Sequence, residues 1–450
     1  MYSLSPPRFQ RGSGRWLRPL PAGMPPARLF LISLGCALLL AGFPAASTPI
    51  PLSFTQALRL AEQNAPLLTA RQARLEAARE DAGRAAALPD PRLTVGLSNW
   101  PVTGPDAFDL RADEMTTQEI GLMQEFPARA KRRARQALAD AGVAQAQAMS
   151  LVERNTVRQA AATAWIELWS AQQGREALTA LREPADAAAR TARARLAGGS
   201  GTAADALAAK SAALLLESRI DAAEAAVQAA QAGLSRWLPP QDALPVAQGP
   251  APELMELPAG EADPMAAIAR HAALLPWTSQ QAVAEAQLDA ALAGKRPDWS
   301  LGVTYGRRDR APDGMPRSDM LMLEISVGLP LFTRNRQDRD IAARRAELGA
   351  VAAEREDARR AQRESVRRAL ATWQGLRRQL QRQQHDVLPL ARDRARAALA
   401  GYAGGGDLQP WLDARRDEIE QHLEQARLQG ELGRAWAALA YLLPEPENTP

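Results

Sequence analysis

From about residue 50 onward the chain is written twice, the second copy following the first at a spacing of about 205 residues. Pro91-Arg92-Leu93-Thr94-Val95-Gly96-Leu97 returns as Pro297-Asp298-Trp299-Ser300-Leu301-Gly302-Val303. Glu119-Ile120 returns as Glu324-Ile325, and Ala162-Thr163-Ala164-Trp165 as Leu370-Ala371-Thr372-Trp373. Pro184 returns as Pro389, Gly198-Gly199 as Gly404-Gly405, and Leu238-Pro239 as Leu443-Pro444. The offset holds to within a few residues throughout, so one long unit is duplicated. A period this long is not that of a solenoid. It calls for two structurally equivalent halves.

The duplicated part follows a leader. Arg8, Arg11, Arg15, Arg18 and Arg28 form a basic stretch with no acid, and 29–42 is an apolar run too short to span a bilayer. Ala45-Ala46-Ser47 is a cleavage site of the expected small residues, so 1–46 reads as a signal peptide and the chain as exported. Met24 opens a second acceptable leader. The single cysteine, Cys36, lies inside the apolar run. It is either a lipid-anchored cysteine in Ser33-Leu34-Gly35-Cys36 or an ordinary leader residue, and Leu38-Leu39-Leu40 continuing the run favours the second.

Without the leader the charges nearly cancel. The whole chain has 55 Lys and Arg against 51 Asp and Glu, and removing the five leader arginines leaves 50 against 51. No net-charge case for nucleic acid remains. The aromatic share is only 5%, Ala and Arg dominate, and long stretches lack Gly and Pro, as in long packed helices. No apolar run after the leader is long enough for a membrane helix.

The first repeat occupies 47–238. A helix is expected over 55–87, capped by Ser53 and stopped by Pro89 and Pro91. A hairpin at 92–124 follows, with Leu93, Val95 and Leu97 alternating with Thr94, Gly96 and Ser98. From 128 a helix of some sixty residues runs toward Pro184 and the Gly198-Gly199 turn, and 202–237 returns. Residues 239–264 are a Pro-rich connection. The second repeat, 265–443, has a helix over 264–295, a hairpin at 298–329, a long helix from 337, the turn at Gly404-Gly405 and a return from 407 to 443. Leu301, Val303, Tyr305, Ile325 and Val327 mark its strands, and 444–450 is a tail.

Two isolated hairpins would leave four bare edges, and four strands cannot close a barrel. Strands of this length with one apolar and one small or polar face match those of outer-membrane barrels. The strands therefore call for partners on other copies, and three copies would bring twelve strands, inside the known range. Ala-rich helices of this length need neighbours around an axis. The expected class is mainly α with a small membrane β part: four strands per chain in a shared barrel, continued by an α-helical coiled-coil barrel. A periplasmic coiled-coil adaptor would account for the helices. It leaves unexplained two hairpins at equivalent places in two copies.

Helix, hairpin, long helix, Gly turn and return helix, duplicated behind a leader, resembles the TolC-like outer-membrane efflux duct family across essentially the whole mature chain. Asn64-Ala65-Pro66-Leu67 resembles the family's early helix motif, and His271-Ala272-Ala273-Leu274 its second copy without the proline. Leu329-Pro330-Leu331-Phe332-Thr333-Arg334-Asn335 resembles its strand-to-helix junction, the ending being closest to the cobalt–zinc–cadmium branch rather than to organic-compound efflux. The resemblance implies a homotrimer in outer-membrane lipid with helices in the periplasm. It also implies a periplasmic adaptor and an inner-membrane pump as partners, and passive conduction of exported solutes, which the metal branch would make heavy-metal cations. A protein-secretion duct on the same fold stays open.

The resemblance further places a periplasmic gate at the helix tips. Asp205 follows the first turn, and Asp413 lies in Trp411-Leu412-Asp413-Ala414, which matches a family pattern. A ring of three aspartates would favour cations. The plainer reading is that these residues cap the return helices, and for Asp407 that reading is favoured. Tyr402 and Arg195 fall where the family places contacts at the aperture. No catalysis is expected. No Walker loop, Gly-x-Ser-x-Gly or dinucleotide fingerprint occurs. His271, His385 and His422 do not pair at metal-ligand spacing, so neither cofactor nor tightly bound metal is expected. Lys131-Arg132-Arg133 and Arg307-Arg308 read as solvated faces, the first with a possible place at the membrane surface.

Overall fold

Ser53 starts the helical part by a reciprocal cap. Its hydroxyl accepts from the Gln56 amide at 3.3 Å while the Gln56 side chain accepts from the Ser53 amide at 3.0 Å. The computed structural model describes residues 50–240, 243–257, 265–266 and 268–442. The leader with Cys36, the middle of the inter-repeat connection and the tail after 442 lie outside the described residues.

The expected first helix is two, α1 (Phe54–Asn64) and α2 (Pro66–Arg84). Pro66 cannot donate to the preceding turn, but it suits the first position of a new helix. Two strands follow, β2 (Arg92–Ser98) and β3 (Thr117–Phe126), after a short β1 (Ile50–Leu52). The long helix is also divided, into α3 (Arg129–Thr179) and α4 (Arg182–Ala197). Pro184 just beyond the division cannot donate to the preceding turn. After α5 (Ala203–Ser235) and β4 (Pro245–Ala247) the order repeats. The expected helix over 264–295 is reduced to α6 (Leu275–Ala293), preceded by two 3₁₀ turns. Strands β5 (Asp298–Arg307) and β6 (Met320–Gly328) lead to α7 (Gln337–Arg382). A π turn at Gln383–Val387 then absorbs the break before Pro389 in α8 (Leu388–Ala403), and α9 (Gln409–Ala440) returns.

The two copies meet through α3, which packs on α5 and on α9, while α9 also packs on α7. Small residues let α3 and α9 approach closely. A β-carbon at Gly433 would lie 2.2 Å from Ile166 Cγ2, one at Gly430 would lie 3.1 Å from Ser170 Oγ, and one at Gly174 would lie 3.0 Å from Ala426 Cβ. The main core surrounds Trp165, Trp373 and Trp436. The repeat-equivalent indoles do the same job: Trp165 Nε1 donates to Leu52 O at 2.9 Å and Trp373 Nε1 to Leu254 O at 3.0 Å. Each fixes the extended segment that crosses its half. β1 pairs in parallel with β4, and Gln231 Nε2 donates to Pro245 O at 3.0 Å, so the connection between repeats is tied to the same waist.

The hairpins are not isolated. β3 pairs with β5, giving one antiparallel sheet in the order β2-β3-β5-β6, with β2 and β6 as edges. The expected four bare edges become two.

Candidate channel: the amphipathic sheet and the helix tips

Register assigns every strand residue to a face. Leu93 faces Leu122, Leu122 faces Val303, and Val303 faces Leu323 across the sheet. Val95, Ile120, Tyr305 and Leu321 form the next row, and Leu301 with Ile325, then Trp299 with Val327, continue it. These side chains cover no core: Val95 is 74% exposed, Leu323 69% and Ile325 70%. Phe126 stacks on Trp299 with centroids 4.2 Å apart on this face. The opposite face carries Thr94, Gly96, Glu119, Gly121, Ser300, Gly302, Thr304, Gly306, Glu324 and Ser326. Its glutamates sit beside glycines: Glu119 lies between Gly96 and Gly306, and Glu324 opposite Gly302. Ser98 donates to Glu119, and Ser326 to Glu324 at 3.1 Å. An exposed sheet with one face mainly apolar, broken by Gln118, Gln124 and Arg307 near its ends, and the other mainly small and polar, apart from Met123, Met320 and Met322, suits lipid on one side and water on the other. All the strand residues expected from alternation, Leu93, Val95, Leu97, Leu301, Val303, Tyr305, Ile325 and Val327, lie in these strands. At the sheet's helical end Lys131 Nζ lies 2.6 Å from Asp298 Oδ2, so that lysine is paired across the repeats.

The opposite ends of the helices finish in two matched turns. Gly199 at φ 74° and Gly405 at φ 101° take the left-handed conformation that ends a helix without strain. The preceding glycines, Gly198 and Gly404, donate to Ala194 O at 2.9 Å and Ala400 O at 3.0 Å. Arg195 joins the tips. Its guanidinium lies 4.6 Å from the Tyr402 ring centroid and donates to Tyr402 O at 2.9 Å. It also reaches Gly406 O at 3.4 Å. The cation thus sits at the carbonyl end of α8, where the helix dipole favours it. Tyr402 itself is buried with Ala188, Ala192, Leu408 and Trp411. The family resemblance singled out Arg195 and Tyr402, and the structure brings these two residues into contact.

The aspartates differ from one another. Asp205 is the third residue of α5 and completes a capping box: its amide donates to Thr202 Oγ1 at 3.0 Å and its carboxylate accepts from the Thr202 amide at 3.3 Å. Asp413 accepts from Gln409 Nε2 at 3.0 Å and lies 3.9 Å from Arg416. Asp407 caps nothing, contrary to expectation: the N-cap of α9 is Leu408, and Pro410 in the first turn needs no donor partner.

Sequence reasoning missed a buried charged group above the tips. Arg415 and Glu418 form an ion pair at 2.7 Å with both side chains under a tenth exposed, and Arg415 Nη2 donates to Leu181 O at 2.7 Å. One turn further, His422 Nε2 lies 3.5 Å from Arg392. Burial, and then the charges of Arg392 and Arg415, push this imidazole down to about 4. The signal was present: Trp411, Ala414, Arg415, Glu418 and His422 share one face of α9 at helical spacing.

Residues 264–444 match the family described as outer membrane efflux protein. No curated protein sequence matches the chain. Among solved structures, a membrane protein from Pseudomonas aeruginosa is 19% identical, with TM-score 0.72, covering 86% of this chain and 93% of its own. The outer membrane protein VceC from Vibrio cholerae is 19% identical, with TM-score 0.67, covering 86% and 94%. The CmeC outer membrane channel of Campylobacter jejuni is 13% identical, with TM-score 0.70, covering 88% and 87%. The fold is thus that of outer-membrane channels. The family match covers residues 264–444, and the likeness to these solved structures over most of the chain is one of fold.

Proposed function

We propose that three copies of this chain close one twelve-stranded barrel, β6 of each copy pairing with β2 of the next, over a tube of periplasmic helices. The tube passively conducts solutes delivered by an inner-membrane pump through a periplasmic adaptor. The observation that carries this reading is the four-stranded sheet with a bare apolar face and two free edges. An open edge of this length invites a further strand, and in lipid every edge must be closed. The adaptor reading gives such a sheet no role. Heavy-metal cations are the proposed cargo on the strength of Phe332-Thr333-Arg334-Asn335 and the glutamates of the polar face. Arg195 and Tyr402 are proposed as the latch of the periplasmic gate, and Asp205 and Asp413 as acidic residues at its mouth. Purified protein in a planar bilayer should give discrete conductance steps with a preference for cations. Absence of steps from protein that is trimeric by mass would refute conduction. Identifying the pump that co-purifies separates efflux from protein secretion on the same fold.

A further inference from the structure

We propose that the neighbouring copy packs the face bearing Asp386 of the π turn and Leu390 and Ala397 of α8 against the α5 face bearing Leu207, Lys210 and Leu214. The proposal rests on the trimeric reading above and assigns the helical seam of that trimer. The argument comes from the duplication. Within one chain the long helix of the first repeat packs on the return helix of the second, α3 on α9. The reciprocal pairing, the long helix of the second repeat with the return helix of the first, is not among the chain's principal helix packings. A ring of equivalent halves supplies it from the next copy, head to tail.

The register of that seam can be read from the contact that does exist. On the return helices an offset of about 205 residues superposes burial: Ala209 and Ala414 are 1% and 0% exposed, Val227 and Leu432 4% and 0%, Leu234 and Leu439 both 0%. On α9, Ile419 packs against the cluster of Leu178, Leu181 and Ala185, and Leu412 against the cluster holding Ala188 and Ala192. The counterparts of Leu412 and Ile419 on α5 are Leu207 and Leu214, which are 72% and 55% exposed. On the other side, pairing Pro184 with Pro389 makes Leu390 the counterpart of buried Ala185 and Ala397 that of buried Ala192, yet Leu390 is 68% exposed. Apolar side chains therefore stand bare at the positions that the first copy of this contact buries.

Charge points the same way. Arg415 enters the existing contact and donates to Leu181 O at 2.7 Å. Its counterpart is Lys210, and the counterpart of Leu181 is Asp386. Both are exposed, and neither forms an ion pair among the described residues. The seam would bring this cation and this anion together while covering Leu207, Leu214 and Leu390.

The test uses full-length protein in outer-membrane fractions, where Cys36 is the only native cysteine. Leu214→Cys combined with Leu390→Cys, once oxidised, is expected to give disulfide-linked dimers and trimers on non-reducing gels. Either single variant alone should give none, and the two singles co-expressed should give dimers. Lys210→Asp should lower the crosslink yield several-fold, and adding Asp386→Lys should restore it. Mass by light scattering in detergent is measured on the same samples. Trimers by mass with no crosslink, or with a yield indifferent to the charge swap, overturn this seam and leave the trimer standing. Monomers by mass overturn both.

Discussion

Gly433→Ala tests the closest approach between the two halves. An added β-carbon would stand 2.2 Å from Ile166 Cγ2 and 3.2 Å from its Cβ, against roughly 3.5–4.0 Å for a normal contact. Ile166 is fully buried, and the neighbouring contacts at Gly430 and Gly174 hold both helices in place. The methyl can enter only if α3 and α9 separate by about 1 Å or Ile166 leaves its rotamer, an overpacking that costs roughly 1–3 kcal/mol. A displacement this large belongs at the upper end. Alanine returns about 1 kcal/mol through its better helix propensity, so the net loss is about 2 kcal/mol. Gly349→Ala is the control. It lies exposed in α7 with nothing within 4 Å of its β-carbon, and should gain about 0.5–1 kcal/mol. Thermal unfolding of detergent-solubilised protein, followed by helical ellipticity, should separate the two in opposite directions. If Gly433→Ala melts with or above the native protein, the small-residue contact between α3 and α9 is wrong.

Other consequences follow from the buried cluster, the sheet and the tips. His422, held neutral with its folded pKa at about 4 against about 6.5 unfolded, contributes stability that is full above pH 6.5 and is lost as pH falls toward 4. After allowance for partial solvent screening this is about 2 kcal/mol. Unfolding of His422→Gln across that window should show a smaller acid loss, and an identical pH profile would refute the assignment. Leu323→Arg, on the apolar face of the sheet, should cost about 2–4 kcal/mol in the membrane and deplete the protein from the outer-membrane fraction. Thr304→Arg, on the polar face, should insert normally, and equal depletion by both would contradict the facing. Arg195→Ala removes the contact with Tyr402 and should raise single-channel conductance in a planar bilayer; an unchanged conductance would remove Arg195 from the gate.

Much of the molecule could be read from residue order because its physics is periodic. Leu93, Val95, Leu97 and their second-copy partners alternate, and alternation fixes a strand and its two faces without knowledge of neighbours. Helix ends were less legible, because Ala-rich sequence tolerates helix everywhere and only the backbone registers a lost donor. Pro66 divides what read as one helix, while Pro389 is accommodated by a π turn that no pattern announces. The pairing of β3 with β5 joins residues nearly two hundred positions apart, which local pattern cannot reveal. At the tips only the family resemblance pointed to Arg195 and Tyr402, and their contact needed the fold. In sequence the capping reading is favoured for Asp407, whereas Asp205 reads as a gate residue. Only Asp205 has a threonine three residues earlier to complete a cap. Arg415 and Glu418 were hidden among the many charges of α9, where burial alone distinguishes them from a solvated face.

The shared barrel is the claim on which the rest depends, and the mass of the native particle tests it most directly. Protein extracted from outer membranes in mild detergent and measured by light scattering, with the detergent contribution subtracted, should be three chains. A dissociated single chain in the membrane extract, or protein recovered in the soluble periplasmic fraction, would contradict it.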